Sequence, residues 1–242
     1  MNTYLIPFIV IVCAVGMAAV ECTHPARLWP QVPGWWIRAI TLNLVQIAMV
    51  FLAGFFWDSY LQTIPLWSIR HWPITLQAFI AYVVITFVYY GWHRIRHEST
   101  FLWRWVHQIH HSPQRIEIIT SFYKHPIEIL LNGILSSLIV YVLVGVSPLA
   151  GSYAVLLTGL AELFYHWNIK TPYWLGFLIQ RPESHCIHHQ QGLHYYNFAD
   201  IPLWDILFGT FKNPKVWKSQ CGFSNSKEIE IFKMLAGRNI GK

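Results

Sequence analysis

The sequence predicts an all-α integral membrane protein with about four to five transmembrane helices, the last two as a hairpin, and a cytoplasmic helical lobe that carries clustered histidines. Three observations lead to this prediction. Only 12% of the 242 residues are charged, and the mean hydropathy is +0.37. Several uncharged apolar runs also have the length of a helix that crosses a hydrocarbon core of about 30 Å.

The first three runs cover residues 4–20, 39–57 and 73–92, and none of them contains a charged side chain. Each predicts one transmembrane helix. The first run lacks the basic residues that precede the apolar core of a secretory signal, so we expect a retained helix.

The predicted hairpin is the stretch 129–161, which has no Asp, Glu, Lys, Arg or His and is interrupted by "VGVSPLAG" at residues 144–151. Gly and Pro in this pattern indicate a turn. Two arms of about sixteen residues would each reach roughly 24 Å, close to a full crossing. We therefore predict one membrane domain over 1–242, divided into transmembrane helices (1–92), two histidine boxes (93–126), the hairpin (127–165) and a third box with the C-terminal tail (166–242).

Lys and Arg are frequent in the two stretches that follow the third run and the hairpin. The positive-inside tendency therefore predicts that both of these polar stretches are cytoplasmic. The net charge of +6 is dispersed and forms no long basic tract. This pattern favours a basic membrane-facing side and argues against nucleic-acid binding. The four cysteines show no paired spacing, so no disulfide framework is expected.

All but two of the thirteen histidines fall between positions 93 and 194. They include "HRIRH" at 93–97, "HQIHH" at 107–111 and "HCIHH" at 185–189. On a helix, spacings of three and four bring side chains to one face. We expect each H-x-x-H-H motif to offer three nitrogens to one side, so that two facing sets suit two metal ions. Imidazole binds Fe, Zn and Cu alike, which leaves the ion open.

Other catalytic motifs are missing from the sequence. "HRIRH" has the spacing of the zinc-protease motif H-E-x-x-H, but Arg94 stands where the catalytic Glu is needed. No G-x-S-x-G, P-loop or G-x-G-x-x-G occurs.

The boxes "HRIRH", "HQIHH", "HWN" at His166 and "HCIHH", followed by "WDILFGTF" at 204–211, resemble the fatty acid hydroxylase superfamily, which includes the sterol desaturases. The resemblance covers about residues 80–215. It implies a di-iron centre at the cytoplasmic end of a helical membrane domain, with O2 as co-substrate. The implied metal ligands are His93, His97, His107, His110, His111, His166, His185, His188 and His189.

The resemblance leaves several further residues with less definite roles. His125 in "KHPIE" and His194 are possible additional ligands or hydrogen-bonding neighbours, and Cys186 stands where many family members have Arg. Acyl-CoA desaturases also have histidine boxes, but the short spacing from His97 to His107 favours the hydroxylase family. Partners that orient the ligating histidines are expected among Glu98, Glu128, Glu162, Asn168 and Asp200.

We predict an O2-dependent oxidoreductase that hydroxylates a fatty acyl, sterol or related lipid. Its electrons would come from a separate donor, a cytochrome b-type protein or a ferredoxin with its reductase. Lipid desaturation on the same fold is an alternative, as is a non-catalytic membrane protein that binds or transports zinc. The expected location is the bacterial inner membrane or the endoplasmic reticulum, with the active site facing the cytoplasm.

Overall fold

The computed structural model describes residues 5–241, except for the side chains of residues 5–7, 50, 53, 54, 225 and 226. Over this part of the chain the all-helical prediction is confirmed. The described residues form no strand, and their β-type pairing is an isolated bridge between Gln190 and Cys221. The α-helices of four or more residues are α1 (Leu5–Thr23), α2 (Trp35–Ala53), α3 (Ile74–Glu98), α4 (Gln108–His111), α5 (Pro126–Ser137), α6 (Pro148–His166), α7 (Pro182–His188), α8 (Pro202–Leu207), α9 (Asn225–Glu228) and α10 (Ile231–Leu235).

Among the residues that the structure describes, two helical stretches are long and apolar enough to cross a membrane. They are Ile74–Glu98, which is α3, and Pro126–Leu143, which is α5 with its π-helical continuation Leu138–Leu143. Within the described residues, Phe8–Thr23 is a shorter apolar helix. The larger number of spans and the cytoplasmic position of the lobe stay predictions.

The centre of the fold is the contact between α3 and α6, the most extensive between any two helices described. Small buried side chains line it, among them Ala78 and Ala81 on α3 and Ala150 and Ala154 on α6. Small residues let two helix backbones approach closely. Both helices end in histidines, so this packing brings His166 towards the histidines at the end of α3.

The turn between α5 and α6 depends on Gly145, which has a φ of +64°. A Cβ atom at this position would lie 1.7 Å from the backbone oxygen of Trp67. Glycine is therefore required both for the left-handed backbone and for the close approach. The neighbouring Ser147 is fixed by its N–H, which donates to the Gln77 side chain over 2.8 Å.

Hydrogen bonds fix the middle of α5 against the second half of α3. The Tyr89 hydroxyl donates to the Asn132 carbonyl over 2.7 Å, and Trp92 Nε1 donates to Asn132 Oδ1 over 2.9 Å. The N-terminal residues of α5 consequently lie beside the C-terminal residues of α3. This arrangement sets Glu128 and the histidines of α3 side by side.

Candidate metal centre

Nine histidines form two groups at the ends of α3 and α6. Within each group, one nitrogen from every ring lies within 4.8 Å of the chosen nitrogens of all the other rings. The groups touch, because the rings of His111 and His189 stack with centroids 4.2 Å apart. The five-histidine cluster contains His93, His97, His107, His111 and His188, and the four-histidine cluster contains His110, His166, His185 and His189.

The two H-x-x-H-H motifs each contribute to both clusters, whereas the sequence led us to expect three rings on one side. The first and last histidines of a motif share a cluster, and the middle one joins the other cluster. This middle residue is His110 in the first motif and His188 in the second. Successive helical residues turn by about 100°, so i+4 lies about 40° from i on one side and i+3 about 60° from i on the other. The rings at i+3 and i+4 therefore point about 100° apart.

Hydrogen bonds at Nδ1 fix the protonation of five rings. Each of these Nδ1 atoms faces an oxygen acceptor, so the neutral ring holds its proton on Nδ1 and keeps a lone pair on Nε2. His107 Nδ1 also lies 3.3 Å from Arg96 Nη1, but the Glu128 carboxylate is closer and Arg96 itself pairs with that carboxylate. The five contacts are His93 to Phe198 O (2.8 Å), His107 to Glu128 Oε1 (3.0 Å), His110 to Tyr123 O (3.4 Å), His166 to Glu162 O (2.9 Å) and His188 to Tyr196 O (2.8 Å).

The Nε2 atoms face one another at distances that suit metal ligation. His107 Nε2 lies 3.0 Å from His93 Nε2 and 3.1 Å from His111 Nε2. His93 and His107 both carry their protons on Nδ1, so two lone pairs meet at 3.0 Å and need a cation between them. Two nitrogens that bind one ion at about 2.1 Å and at right angles lie roughly 3 Å apart.

Unsatisfied ring nitrogens lead to the same conclusion. Within the described residues, His188 Nε2 and both ring nitrogens of His189 are buried without a hydrogen-bond partner. A buried polar atom without a partner destabilises a fold unless something else satisfies it. In the four-histidine cluster, His166 Nε2 and His185 Nε2 are 3.0 Å apart. The donors present therefore fit two metal ions of the kind that neutral imidazole binds.

Burial keeps the imidazoles of the lobe neutral. It lowers the pKa of His107, His111 and His185 well below the usual value, and neighbouring positive or titratable groups lower it further. Burial also lowers the pKa of His188 to about 3, although the Tyr196 carbonyl partly opposes the shift. Neutral imidazole is the form that ligates metal, so these rings can bind without first losing a proton at pH 7.

The segment that supplies the carbonyls of residues 196 and 198 is held by the "WDILFGTF" motif. The Asp205 carboxylate accepts the N–H groups of Phe198 at 2.8 Å and Ala199 at 3.0 Å. The Asn197 side-chain amide donates to the carbonyls of Ser184 and Lys212. The motif thereby positions the two carbonyls that orient His93 and His188.

Glu128 is the predicted orienting residue whose carboxylate contacts a clustered histidine. Glu162 orients His166 with its backbone carbonyl, which accepts the hydrogen bond from His166 Nδ1, while its side chain pairs with Lys124. Glu98 pairs with Arg94 at the surface. The side chain of Asn168 bonds to the backbone of Arg27, and the Asp200 carboxyl lies beside the Tyr165 hydroxyl.

Three residues singled out in the sequence lie outside both clusters. His125 caps α5, since its Nδ1 accepts the Ile127 N–H at 3.0 Å and its Nε2 donates to the Leu235 carbonyl at 3.3 Å. The ring of His194 lies 5.3 Å from that of His111. Cys186 is buried in an apolar group with Ile116, Trp217 and Cys221.

Fold and site together define a helical protein with apolar helices of membrane length and a paired histidine centre. The profile of the fatty acid hydroxylase family matches residues 78–210, more than half of the chain. The chain belongs to this family, and the resemblance recognised in its histidine boxes is confirmed.

Three relatives show which kinds of enzyme the chain is similar to. The chain is 31% identical to the ornithine lipid hydroxylase OlsE of Rhizobium tropici, over 59% of this chain and 44% of that protein. It is 28% identical to the very-long-chain aldehyde decarbonylase GL1-9 of Oryza sativa subsp. japonica, over 57% and 56%. It is 26% identical to sphinganine C4-monooxygenase 1 of Arabidopsis thaliana, over 63% and 60%. The matched part thus spans about half the length of these relatives, and no solved structure matches the chain significantly.

Proposed function

We propose that this protein is an integral membrane di-iron oxygenase that uses O2 and electrons from a separate donor to hydroxylate a lipid. The observation that carries the proposal is the pair of touching clusters in which imidazole lone pairs face one another. Membership of the fatty acid hydroxylase family supports the same reaction class.

The two clusters would each hold one iron ion. When bound, the irons would supply the redox chemistry by which O2 attacks a strong C–H bond, which side chains cannot supply themselves. The chain's own contribution is a rigid set of donors, since the five Nδ1 hydrogen bonds point the Nε2 lone pairs inward. Neutral imidazoles add no negative charge, which favours a strongly oxidising centre.

Exposed apolar side chains support a multi-pass membrane position. On α1 and α2, Val15 is 66% exposed, Ile37 76% and Leu44 60%. Such a surface is unfavourable in water and suits lipid. We propose four to five spans, including the α5–α6 hairpin, with the histidine clusters at the cytoplasmic edge. If so, a maleimide reagent should label Lys215→Cys in a Cys22→Ser background in inverted vesicles and spare it in right-side-out vesicles.

The proposed substrate is a membrane lipid with a long alkyl chain. The names of two relatives specify an ornithine lipid and sphinganine, both acted on by hydroxylases or monooxygenases. A centre at the membrane edge would receive such a chain directly from the bilayer. The substrate's apolar part would then never need to cross water.

The electron donor would dock on exposed lysines that follow the third histidine box. Lys212, Lys215 and Lys218 are exposed. The Lys212 ammonium lies 4.9 Å from the centre of the Tyr196 ring, and the Tyr196 carbonyl accepts the hydrogen bond from His188. An acidic donor bound here would be close to the five-histidine cluster. The rate at which the donor reduces the metal centre should fall as salt is added. A rate that is independent of salt would contradict this docking site.

The test of the proposed function is a lipid screen with iron-reconstituted protein in detergent or vesicles, supplied with O2 and a reductase system. Mass spectrometry of the products should detect a lipid that has gained one oxygen atom. Loss of two hydrogens would instead indicate desaturation, and a product shortened by one carbon would indicate decarbonylation. Zinc-loaded protein is the matched control, and equal product formation with zinc would rule out iron chemistry.

A further inference from the structure

Glu128 is a fully buried carboxylate in contact with the histidine centre. Its side chain is 0% exposed, and its Oε1 accepts a hydrogen bond from the His107 Nδ1–H over 3.0 Å. The same oxygen pairs with Nη1 of the Arg96 guanidinium, which is itself 5% exposed and also lies 3.3 Å from His107 Nδ1. Arg96 and Glu128 come from α3 and α5, so the contact joins two helices beside the histidines.

The contact acts on the central ring of the five-histidine cluster. His107 Nε2 is 3.0 Å from His93 Nε2 and 3.1 Å from His111 Nε2. Any tilt of the His107 ring would therefore alter two ligand pairs at once. Whatever fixes the other edge of this ring fixes the geometry of the cluster.

The partner of His107 also differs in charge from those of the other oriented rings. His93, His110, His166 and His188 direct Nδ1 to backbone carbonyls. A carboxylate is a stronger acceptor than a carbonyl, and it increases electron density at the far nitrogen of the ring. Arg96 balances the carboxylate, because a buried charge without a counter-ion is strongly unfavourable.

We propose that Glu128, balanced by Arg96, is a positioning residue that fixes His107 and makes the five-histidine cluster the tighter and first-filled of the two metal sites. The inference rests on the proposed function insofar as both clusters bind metal. It goes further, because it makes the two sites unequal and attributes the difference to one carboxylate outside the ligand set.

The experiment is a Co²⁺ titration of metal-free full-length protein in detergent, followed by visible absorption and by competition with a chelator. Wild-type protein should take up two ions in two steps. Glu128→Gln should weaken one step by about 10- to 100-fold and leave the other unchanged. Repeating the titration in a His166→Ala, His185→Ala background, which disables the four-histidine cluster, should show the whole loss in the remaining step.

Glu98→Gln is the matched control. Glu98 lies next to the first histidine box in sequence, but its side chain is 60% exposed and pairs with Arg94 at the surface. This variant should bind Co²⁺ like wild-type protein. Glu128→Asp, which keeps the charge on a shorter side chain, should recover part of the lost affinity.

A double variant separates the role of Glu128 from the effect of an unpaired arginine. Arg96→Met with Glu128→Gln removes the buried charge but leaves a hydrogen-bond acceptor for His107. The inference expects weakened binding in the double variant as well. Wild-type affinity in either Glu128→Gln or the double variant would overturn it. Wild-type protein that bound no Co²⁺ would contradict the proposed function together with the inference. Two-step Co²⁺ binding by wild-type protein, unchanged in the Glu128 variants, would contradict the inference alone.

Discussion

The five-histidine and four-histidine clusters are assembled by the same rule but are not equivalent. Each receives the first and last histidines of one H-x-x-H-H motif and the middle histidine of the other motif. The five-histidine cluster adds a pair from α3, His93 and His97, whereas the four-histidine cluster adds His166 alone. One sequence pattern that occurs twice thus forms an interlocked pair of sites. The sites differ because α3 adds two histidines to one of them and α6 adds one histidine to the other.

The interlocking also explains why the clusters touch. In each motif the middle ring faces the neighbouring cluster, so His110 and His188 tie the two sites together. Neither motif can move without disturbing both clusters. Perturbations of single ligands and of the shared scaffold should consequently have different effects.

The largest expected effect comes from removing one ligand from one cluster. His107→Ala takes away the central ring of the five-histidine cluster, and His185→Ala takes away a ligand of the other cluster. Each variant should retain about one ion per chain and lose lipid hydroxylation, because a metal site with a missing ligand binds far more weakly. Metal analysis by mass spectrometry checks this. Loss of both ions in each variant would show that the clusters do not fill separately.

Acid should destabilise the metal-free protein. The pKa of His188 is about 3 when folded, against a usual value of about 6.5, so the unfolded chain takes up a proton that the folded chain refuses. Stability is therefore complete above pH 6.5 and declines as pH falls towards 3. At pH 5 this one histidine should cost about 2 kcal/mol, measurable as a lower Tm.

Two variants sharpen the pH comparison. His188→Asn should show a shallower decline in Tm with acid, whereas His24→Asn, at an exposed position, should behave like the parent. Bound metal should protect the protein, because protons and metal compete for the same lone pairs. An identical decline in the parent and in His188→Asn would refute the claim that His188 contributes to the acid instability.

Enlarging a side chain between α3 and α6 should affect both clusters together. Ala81 is 0% exposed at this contact, and Ala81→Leu should cost about 1–3 kcal/mol through overpacking. Since α3 and α6 carry histidines of different clusters, Co²⁺ affinity should fall at both sites. Val155→Leu on the outer side of α6, where Val155 is 42% exposed, is the control. Selective loss at one site would contradict the shared scaffold.

Changing a histidine outside both clusters should have the smallest effect. His125→Ala removes the side-chain cap of α5 and should lower the free energy of unfolding by about 1 kcal/mol. Asn at this position should restore most of that loss, since Asn also caps helices. Thermal unfolding measures the change, and metal content should stay at the wild-type level in both variants. Loss of metal in His125→Asn would place His125 among the ligands.

Local rules predicted much of this arrangement from sequence. Apolar runs indicated the helices, and the three- and four-residue spacings indicated which histidines would assemble. The split of each H-x-x-H-H motif also follows from helical geometry, although the sequence analysis expected three rings on one side. The π-helical turn Trp103–His107, which ends at the first histidine of the second box, was not predictable from the pattern.

Contacts between distant segments were the part that sequence could not supply. Glu128 was one of five candidate orienting residues, and its selection depends on the packing of α5 against α3. The carbonyls of Tyr196 and Phe198 leave no side-chain signal at all. The role of "WDILFGTF" depends on a contact of this kind, because Asp205 in the motif holds the segment that carries those carbonyls.

The most direct test of the central claim is the iron content of detergent-purified, iron-reconstituted protein, compared with the double variant His188→Ala, His189→Ala. One of these residues belongs to each cluster, so the account predicts about two irons per chain in wild-type protein and loss of both in the variant. His24→Asn should keep the wild-type content. Wild-type protein without stoichiometric iron, or a double variant that retains both ions, would contradict the account.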